Sequence, residues 1–234
     1  MMQKLKYIPL EKILIGKPVS RISYITSKCI DKNVLDLGCY DETALVKKNS
    51  GTWLHEEIVK VAKYVYGIDN SKSLLENNVS ISSNSKIEYG DVTDLKILGD
   101  FNPDIIVAGE LIEHLPNVLN FFKNIKMMYS GKKLICSTPN ASSYTNSKLS
   151  LLKRESCHKD HLQIYSYKII NTLCLLSGFE EWEIIPYHIY YTEMIMGTTG
   201  INKSVTIFAE KIINIIEKIF PLSSGGLILH VKKI

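Results

Sequence analysis

The chain has 234 residues, 45% of them hydrophobic and 22% charged, with a formal net charge of +4. That length and balance are ordinary for a soluble globular protein of one domain, or one domain with an added lobe. The mild positive charge permits an anionic substrate. The basic pairs Lys47-Lys48, Lys132-Lys133 and Lys232-Lys233 are scattered and form no stripe of the kind that binds nucleic acid, so none is expected as a partner.

In chain order, residues 1–31 read as a helical lead-in, with Ile22, Ile25 and Cys29 at helical spacing. "NVLDLGC" predicts a strand. "ETALVKK" opens a helix that "NSG" interrupts, and "LHEEIVKVAKYV" resumes it with Leu54, Ile58, Val61 and Val65 on one face. "VYGIDN" predicts a second strand ending on Asp69, and "SKSLLENNV" a short helix with Ser71 as its N-cap. "KIEYGDV" and "PDIIVAGEL" predict the third and fourth strands, the latter a continuous apolar run suited to burial on both faces. A helix entered near Pro116 leads to a fifth strand, "KKLICSTPN". "SYKIINTLCLLSGF" is a helix closed by Gly178, and "EEWEIIPYHI" and "GLILHVKKI" are two last strands. Alternating strands and helices imply a parallel sheet covered on both faces, with ligands at the C-terminal ends of its strands.

Those strand ends are acidic. Asp36 lies just inside the first strand, before Gly38, and the next three strands end at Asp69, Asp91 and Glu110. A carboxylate after the second strand suits a ribose diol, and one after the third can accept from an exocyclic amine. The turn after the first strand is poor in glycine. Tyr40, Asp41 and Glu42 stand where a pyrophosphate would need glycines, and two acids would repel that group. They suit a cofactor with a cationic centre and no phosphates.

"VLDLGCYDE", "VYGIDNS", "IEYGDVTDL", "DIIVAGELIEHLPN" and "KKLICSTPN" resemble, in order, the signature segments of class I S-adenosylmethionine-dependent methyltransferases, over residues 33–185. "GELIEHL", "STPN" and "DHLQIYSYKIINTLCLLSGFE" resemble the branch containing quinone and sugar O-methyltransferases. The resemblance implies a Rossmann-like, seven-stranded, mostly parallel α/β sheet whose last strand is antiparallel. It implies S-adenosylmethionine as cofactor. Asp36, Gly38 and Tyr40 would lie at its methionine end, and Asp69 with Asn70 at its ribose. Asp91 with Val92 would frame the adenine, and Glu110 with Leu111 would flank the sulfonium. The chain departs from the family's pattern at Tyr40 and Glu42, where glycines are usual, and in a longer interval near "KNSGTWLHEE".

"ESCHKDHLQIYS" places His158, Asp160 and His161 after the fifth strand. His161, with His158 second, is the candidate base or substrate-positioning residue for an oxygen acceptor; packing against the following helix is the alternative. An HxxH pair without a third ligand assigns no metal. Glu113 is read either as a pocket acid or as a helix-start carboxylate, and His55, His188 and His230 as surface or packing residues. In the insertion 190–226, Val205, Phe208, Ile212, Ile215, Ile216 and Ile219 form an apolar stripe. Core packing is its first reading; a dimer contact, a lid or a peripheral membrane contact are the others. Residues 1–31 would form a cover over a methyltransferase domain at 32–234.

The five cysteines, Cys29, Cys39, Cys136, Cys157 and Cys174, are odd in number and form no CxxC. With no apolar leader core and no transmembrane run, the expectation is a cytoplasmic monomer or homodimer. The predicted function is O-methylation of a small molecule or sugar. A catalytically inactive methyltransferase-like binding protein and an RNA methyltransferase are the alternatives.

Overall fold

The computed structural model describes residues 5–40, 43–76, 81–94 and 101–234. The predicted apolar runs form β1 (Asn33–Leu37), β2 (Tyr64–Asp69), β3 (Ser85–Tyr89), β4 (Ile105–Gly109), β5 (Lys133–Pro139), β6 (Glu181–Tyr187) and β7 (Gly226–Lys233). They join one sheet in the order β3-β2-β1-β4-β5-β7-β6. β1 to β5 run parallel to one another. β7 inserts antiparallel between β5 and β6. The winding reverses between β1 and β4, so the crevice outside their C-terminal ends is the switch point where such sheets bind ligands.

Successive strand residues point to opposite faces, and the two faces have separate cores. Leu35, Leu37, Ile106 and Leu134 pack on one side against α5 (Val118–Met128) and α7 (Tyr167–Ser177). Val34, Val65, Val107 and Ile135 pack on the other against α1 (Arg21–Cys29) and α3 (Leu54–Val59). Ser166 caps α7 by accepting from the Ile169 amide, and Gly178 closes that helix in the left-handed region (φ 73°). Asn117 caps α5 through the Asn120 amide.

Four sequence expectations change. The lead-in is helical only at α1. Residues 5–20 carry Pro9, Gly16 and Pro18, which break a helix, and Val19 instead bridges Tyr187 beside β6. Val65 does not share a helix face with Leu54 and Ile58, because α3 ends at Val59 and Val65 is a buried β2 residue. A further helix, α6 (Tyr144–Leu151), follows β5 and is capped by Ser143. It buries no residue, so it has no apolar period to read. Between β6 and β7 lie α8 (Thr192–Met196) and α9 (Gly200–Ile219), and the α9 stripe is exposed at Val205, Phe208, Ile212, Ile215 and Ile219 rather than packed in a core. The short α2 (Ala44–Lys47) and α4 (Ser73–Glu76) complete the helices of the described residues.

The face that α9 turns inward is polar. Glu217 is buried, bonds His188 Nδ1 at 2.5 Å and accepts the Gly225 amide at 2.7 Å. Glu210 accepts the Tyr191 amide at 2.7 Å. Glu217→Ala would strand two buried polar groups at about 1–3 kcal/mol each, and Lys218→Ala, on an exposed residue, should stay within about 0.5 kcal/mol of the parent. Urea denaturation of the two variants checks the contrast. Where β7 begins, a Cβ on Gly226 would overlap the buried Tyr187 ring. Gly226→Ala is therefore expected to cost about 1–3 kcal/mol in the same assay, since neither strand can move aside.

Candidate functional site

The site is built from loops that leave the strand ends. After β1, Gly38 takes a left-handed conformation (φ 71°), and a Cβ there would come within 2.9 Å of Leu111 Cδ1. Glycine alone suits both demands. The loop beyond it is tied to β2 by one carboxylate: Asp69 Oδ2 accepts the Tyr40 amide at 2.9 Å and Oδ1 accepts the Ser71 amide at 2.8 Å. The Tyr40 side chain is buried edge-on to Trp53, whose indole N–H donates to the Cys39 carbonyl at 2.8 Å. Tyr40 therefore belongs to a small apolar cluster with Cys39, Ala44 and Trp53. The longer segment between β1 and β2 supplies Trp53 and also His55. The buried His55 Nδ1 pairs with Asp36 Oδ2 at 2.7 Å. Asp41 and Glu42 lie outside the described residues.

Asn70 is exposed beside Asp69. Beyond β3, the exposed Asp91 accepts from the Thr93 amide and hydroxyl at 2.8 and 2.7 Å, while Val92 is buried in the main core. At the end of β4, Glu110 has φ 52°, a conformation that costs a non-glycine residue about 1–3 kcal/mol. Three hydrogen bonds hold it there. Its amide donates to both the carbonyl and the Oγ of Ser137, at 3.0 and 3.1 Å, and Tyr187 Oη donates to its Oε1 at 2.6 Å. Burial, then the Glu110 charge, pushes the Tyr187 hydroxyl far up, so it remains a donor.

The next turn, a 3-10 helix at Ile112–His114, buries Glu113 completely. Neither carboxylate oxygen has a hydrogen-bond partner among the described residues. Burial, and second the charge of Glu110, raise this carboxyl to about 9, so it is neutral at pH 7. The Glu113 carbonyl accepts the Leu162 and Gln163 amides at 2.9 and 3.3 Å, which fixes the histidine-bearing loop beside it. His114 and His161 stack edge to face with centroids 4.7 Å apart, and His158 lies 5.6 Å from His161. Burial, then His114, lowers the pKa of His161, which leaves a neutral imidazole. His158 is exposed, 3.7 Å from Asp160.

Sequence reasoning considered His158, Asp160 and His161 as metal ligands and assigned none. The structure groups a different trio. Ligand atoms of Glu113, His114 and His161 all lie within 4.8 Å of one another, a set of carboxylate and imidazoles that could hold a divalent cation.

A cleft of about 1070 Å³ opens at the ends of β1 and β4. Of the sequence candidates, Asp36, Gly38, Glu110 and His161 line it. Asp69, Asn70 and Asp91 stand farther along the same sheet edge, at the ends of β2 and β3, while Tyr40, Val92 and Leu111 are buried behind it. The cleft also takes Arg21, Tyr187 and His188, which sequence reasoning did not single out as site residues. Arg21 Nη1 donates to Ser137 Oγ at 3.3 Å behind Glu110. The one signal for the other two was "PYHI", two polar-tipped residues at a predicted strand end.

A family model described as "Methyltransferase domain" matches residues 14–184. Ubiquinone biosynthesis O-methyltransferases from strains of Coxiella burnetii are 32% identical over 136 residues, 53% of this chain and 53% of theirs. The chain thus matches about half the length of these curated relatives. Among solved structures, a SAM-dependent methyltransferase from Thermotoga maritima superposes with a TM-score of 0.58 at 13% identity, covering 92% of this chain and 88% of that one. A SAM-dependent methyltransferase from Archaeoglobus fulgidus gives 0.51 at 14% identity, over 91% and 94% of the two chains. The small RNA methyltransferase HEN1 gives 0.57 at 15% identity, over 96% of this chain and 27% of HEN1. These structural likenesses show the Rossmann-like methyltransferase fold, and with the family match they establish that this chain belongs to the methyltransferase-domain family.

Proposed function

We propose that this chain is an S-adenosylmethionine-dependent O-methyltransferase acting on a hydroxyl of a small-molecule or sugar acceptor. The observation that carries the reading is His161. A neutral imidazole lines the cleft beside the strained end of β4, on the same sheet edge as Gly38 and Asp69. The named activity of the Coxiella burnetii relatives supports an oxygen acceptor.

The residues fit that cofactor. Gly38 lets backbone approach a ligand closely, and Asp69 and Asp91, at the ends of β2 and β3, carry carboxylates that would accept from ribose hydroxyls and an adenine amine. Bound there, S-adenosylmethionine would supply a methyl group on a sulfonium for in-line displacement. The chain's own part is alignment and proton handling. Glu110, held by Tyr187, presents a carboxylate at the cleft. His161 takes the acceptor proton on an imidazole nitrogen as the oxygen attacks. Tyr191 and Met194, from the insertion after β6, line the cleft, where they would help keep water from the sulfonium.

A specific observation favours a second reading of the activation step. The Glu113 carboxyl has no hydrogen-bond partner among the described residues, and Glu113, His114 and His161 fit a divalent cation, which would acidify the acceptor hydroxyl so that its proton passes to water rather than to His161.

His161→Ala is expected to lower kcat by about 10²-fold or more while the Kd for S-adenosylhomocysteine stays within about twofold. Asp69→Ala should raise that Kd at least about tenfold. Calorimetry and a methyl-transfer screen over catechols, sugars and small RNAs read both. Absence of S-adenosylhomocysteine binding sinks the reading. Tight binding with no transfer to any acceptor points to an inactive binding protein, and transfer to RNA alone replaces the acceptor class. Treatment with EDTA followed by Mg²⁺ or Mn²⁺ separates the two activation steps. Activity lost and then restored favours the cation, and activity indifferent to EDTA favours His161 as base.

A further inference from the structure

α9 is an amphipathic helix turned inside out. Ile201, Val205, Phe208, Ile212, Ile215 and Ile219 recur at intervals of three and four residues, and so share one face. That face is exposed, from 42% at Ile212 to 79% at Ile201. An outward apolar stripe along a 20-residue helix is unlike a single exposed leucine, which is common on any surface.

The charges of the same helix are sorted just as strictly. Its two acids both point inward, Glu217 to His188 and the Gly225 amide, Glu210 to the Tyr191 amide. Its three lysines, Lys203, Lys211 and Lys218, are all exposed. Lys211 and Lys218 each precede a stripe residue and so flank the stripe on one side, about 100° round the helix. The outer surface of α9 is therefore apolar with a purely cationic flank. No described helix is long and apolar enough to cross a membrane. A helix of this kind lies in the plane of an interface, with its stripe among acyl chains and its lysines at anionic headgroups.

A second copy of the chain fits this face poorly. Antiparallel stripe-to-stripe pairing about a twofold axis would bring lysine flanks together with no exposed carboxylate of α9 to neutralise them. The apolar rim also continues onto α8, whose exposed Met194 and Met196 line the mouth of the cleft.

We propose that the outer face of α9 docks the protein on an anionic phospholipid bilayer, with the cleft mouth beside the membrane surface. The test is sedimentation of the full chain with vesicles of phosphatidylcholine, with or without phosphatidylglycerol. Wild-type protein should pellet with the anionic vesicles, more weakly as salt rises, and bind phosphatidylcholine alone at least about fivefold less. Phe208→Ser with Ile212→Ser, and separately Lys211→Gln with Lys218→Gln, should each lower binding about tenfold with circular dichroism unchanged. As a measurement independent of these variants, the indole emission gained by Phe208→Trp should shift to the blue and be quenched by brominated lipid. The proposal is overturned if wild-type protein stays in the supernatant with anionic vesicles at low salt. It is equally overturned if both double variants bind like wild type, or if the emission gained by Phe208→Trp does not respond to vesicles. A dimer in sedimentation velocity that Phe208→Ser with Ile212→Ser converts to monomer would assign the stripe to a second copy instead.

Discussion

The hydrogen bond from Tyr187 to Glu110 joins parts of the chain that nothing local would bring together. It is 2.6 Å long, and it joins the buried last residue of β6 to the half-buried residue that follows β4. A hydrogen bond to a carboxylate is stronger than an ordinary one, and breaking this one would leave the buried Tyr187 hydroxyl unpaired. It holds Glu110 in a backbone conformation that its side chain does not favour. It also requires Gly226, because no residue with a Cβ would leave room for the Tyr187 ring. The N-terminal segment joins at the same point, where Val19 bridges Tyr187 and Arg21 reaches Ser137 behind Glu110. Cleft, sheet edge and lead-in therefore share one anchor.

Around that anchor the groups at the strand ends fall into two chemically different sets. In the set near β1 and β2, carboxylates are occupied by the protein itself: Asp36 by His55, Asp69 by two loop amides. These bonds shape backbone rather than wait for a reaction. In the other set is a buried carboxyl without a hydrogen-bond partner among the described residues, next to two imidazoles. Leaving Glu113 in this state costs several kcal/mol of desolvation unless the group stays protonated or meets a cation. That difference separates carboxylates held by the protein from one left unpaired by the described residues, beside imidazoles.

Much of the fold was legible because its signals are local. Continuous apolar runs such as "DIIVAG" read as buried strands, and Gly178 read as a helix stop because only a left-handed residue closes that turn without strain. The acidic strand ends were legible for the same reason, since a strand's last residue is known once the strand is. The structure adds what Tyr40 does. Its side chain fills a satellite core with Trp53, and the longer β1–β2 segment that looked like an irregularity supplies that partner. What was not legible depends on distance in the chain. Glu217 and His188 are 29 residues apart, Tyr187 and Glu110 are 77, and no spacing rule links them. Core packing, the first reading of the α9 stripe, fails for a different reason. Periodicity shows that apolar residues share a face, but not whether that face looks inward.

The hairpin of β6 and β7 carries a further consequence. Tyr187 and Gly226 are register partners, so the chain leaves the sheet and returns to it at one place. The whole excursion through α8 and α9 is thus a closed loop pinned at its neck. Closure entropy rises only with the logarithm of loop length, about 0.6 kcal/mol per doubling, so the excursion can lengthen or shrink at little cost to the sheet provided that Glu217 keeps its bonds to His188 and the Gly225 amide at the neck. Relatives sharing β1 to β5 are then free to differ in length most between β6 and β7.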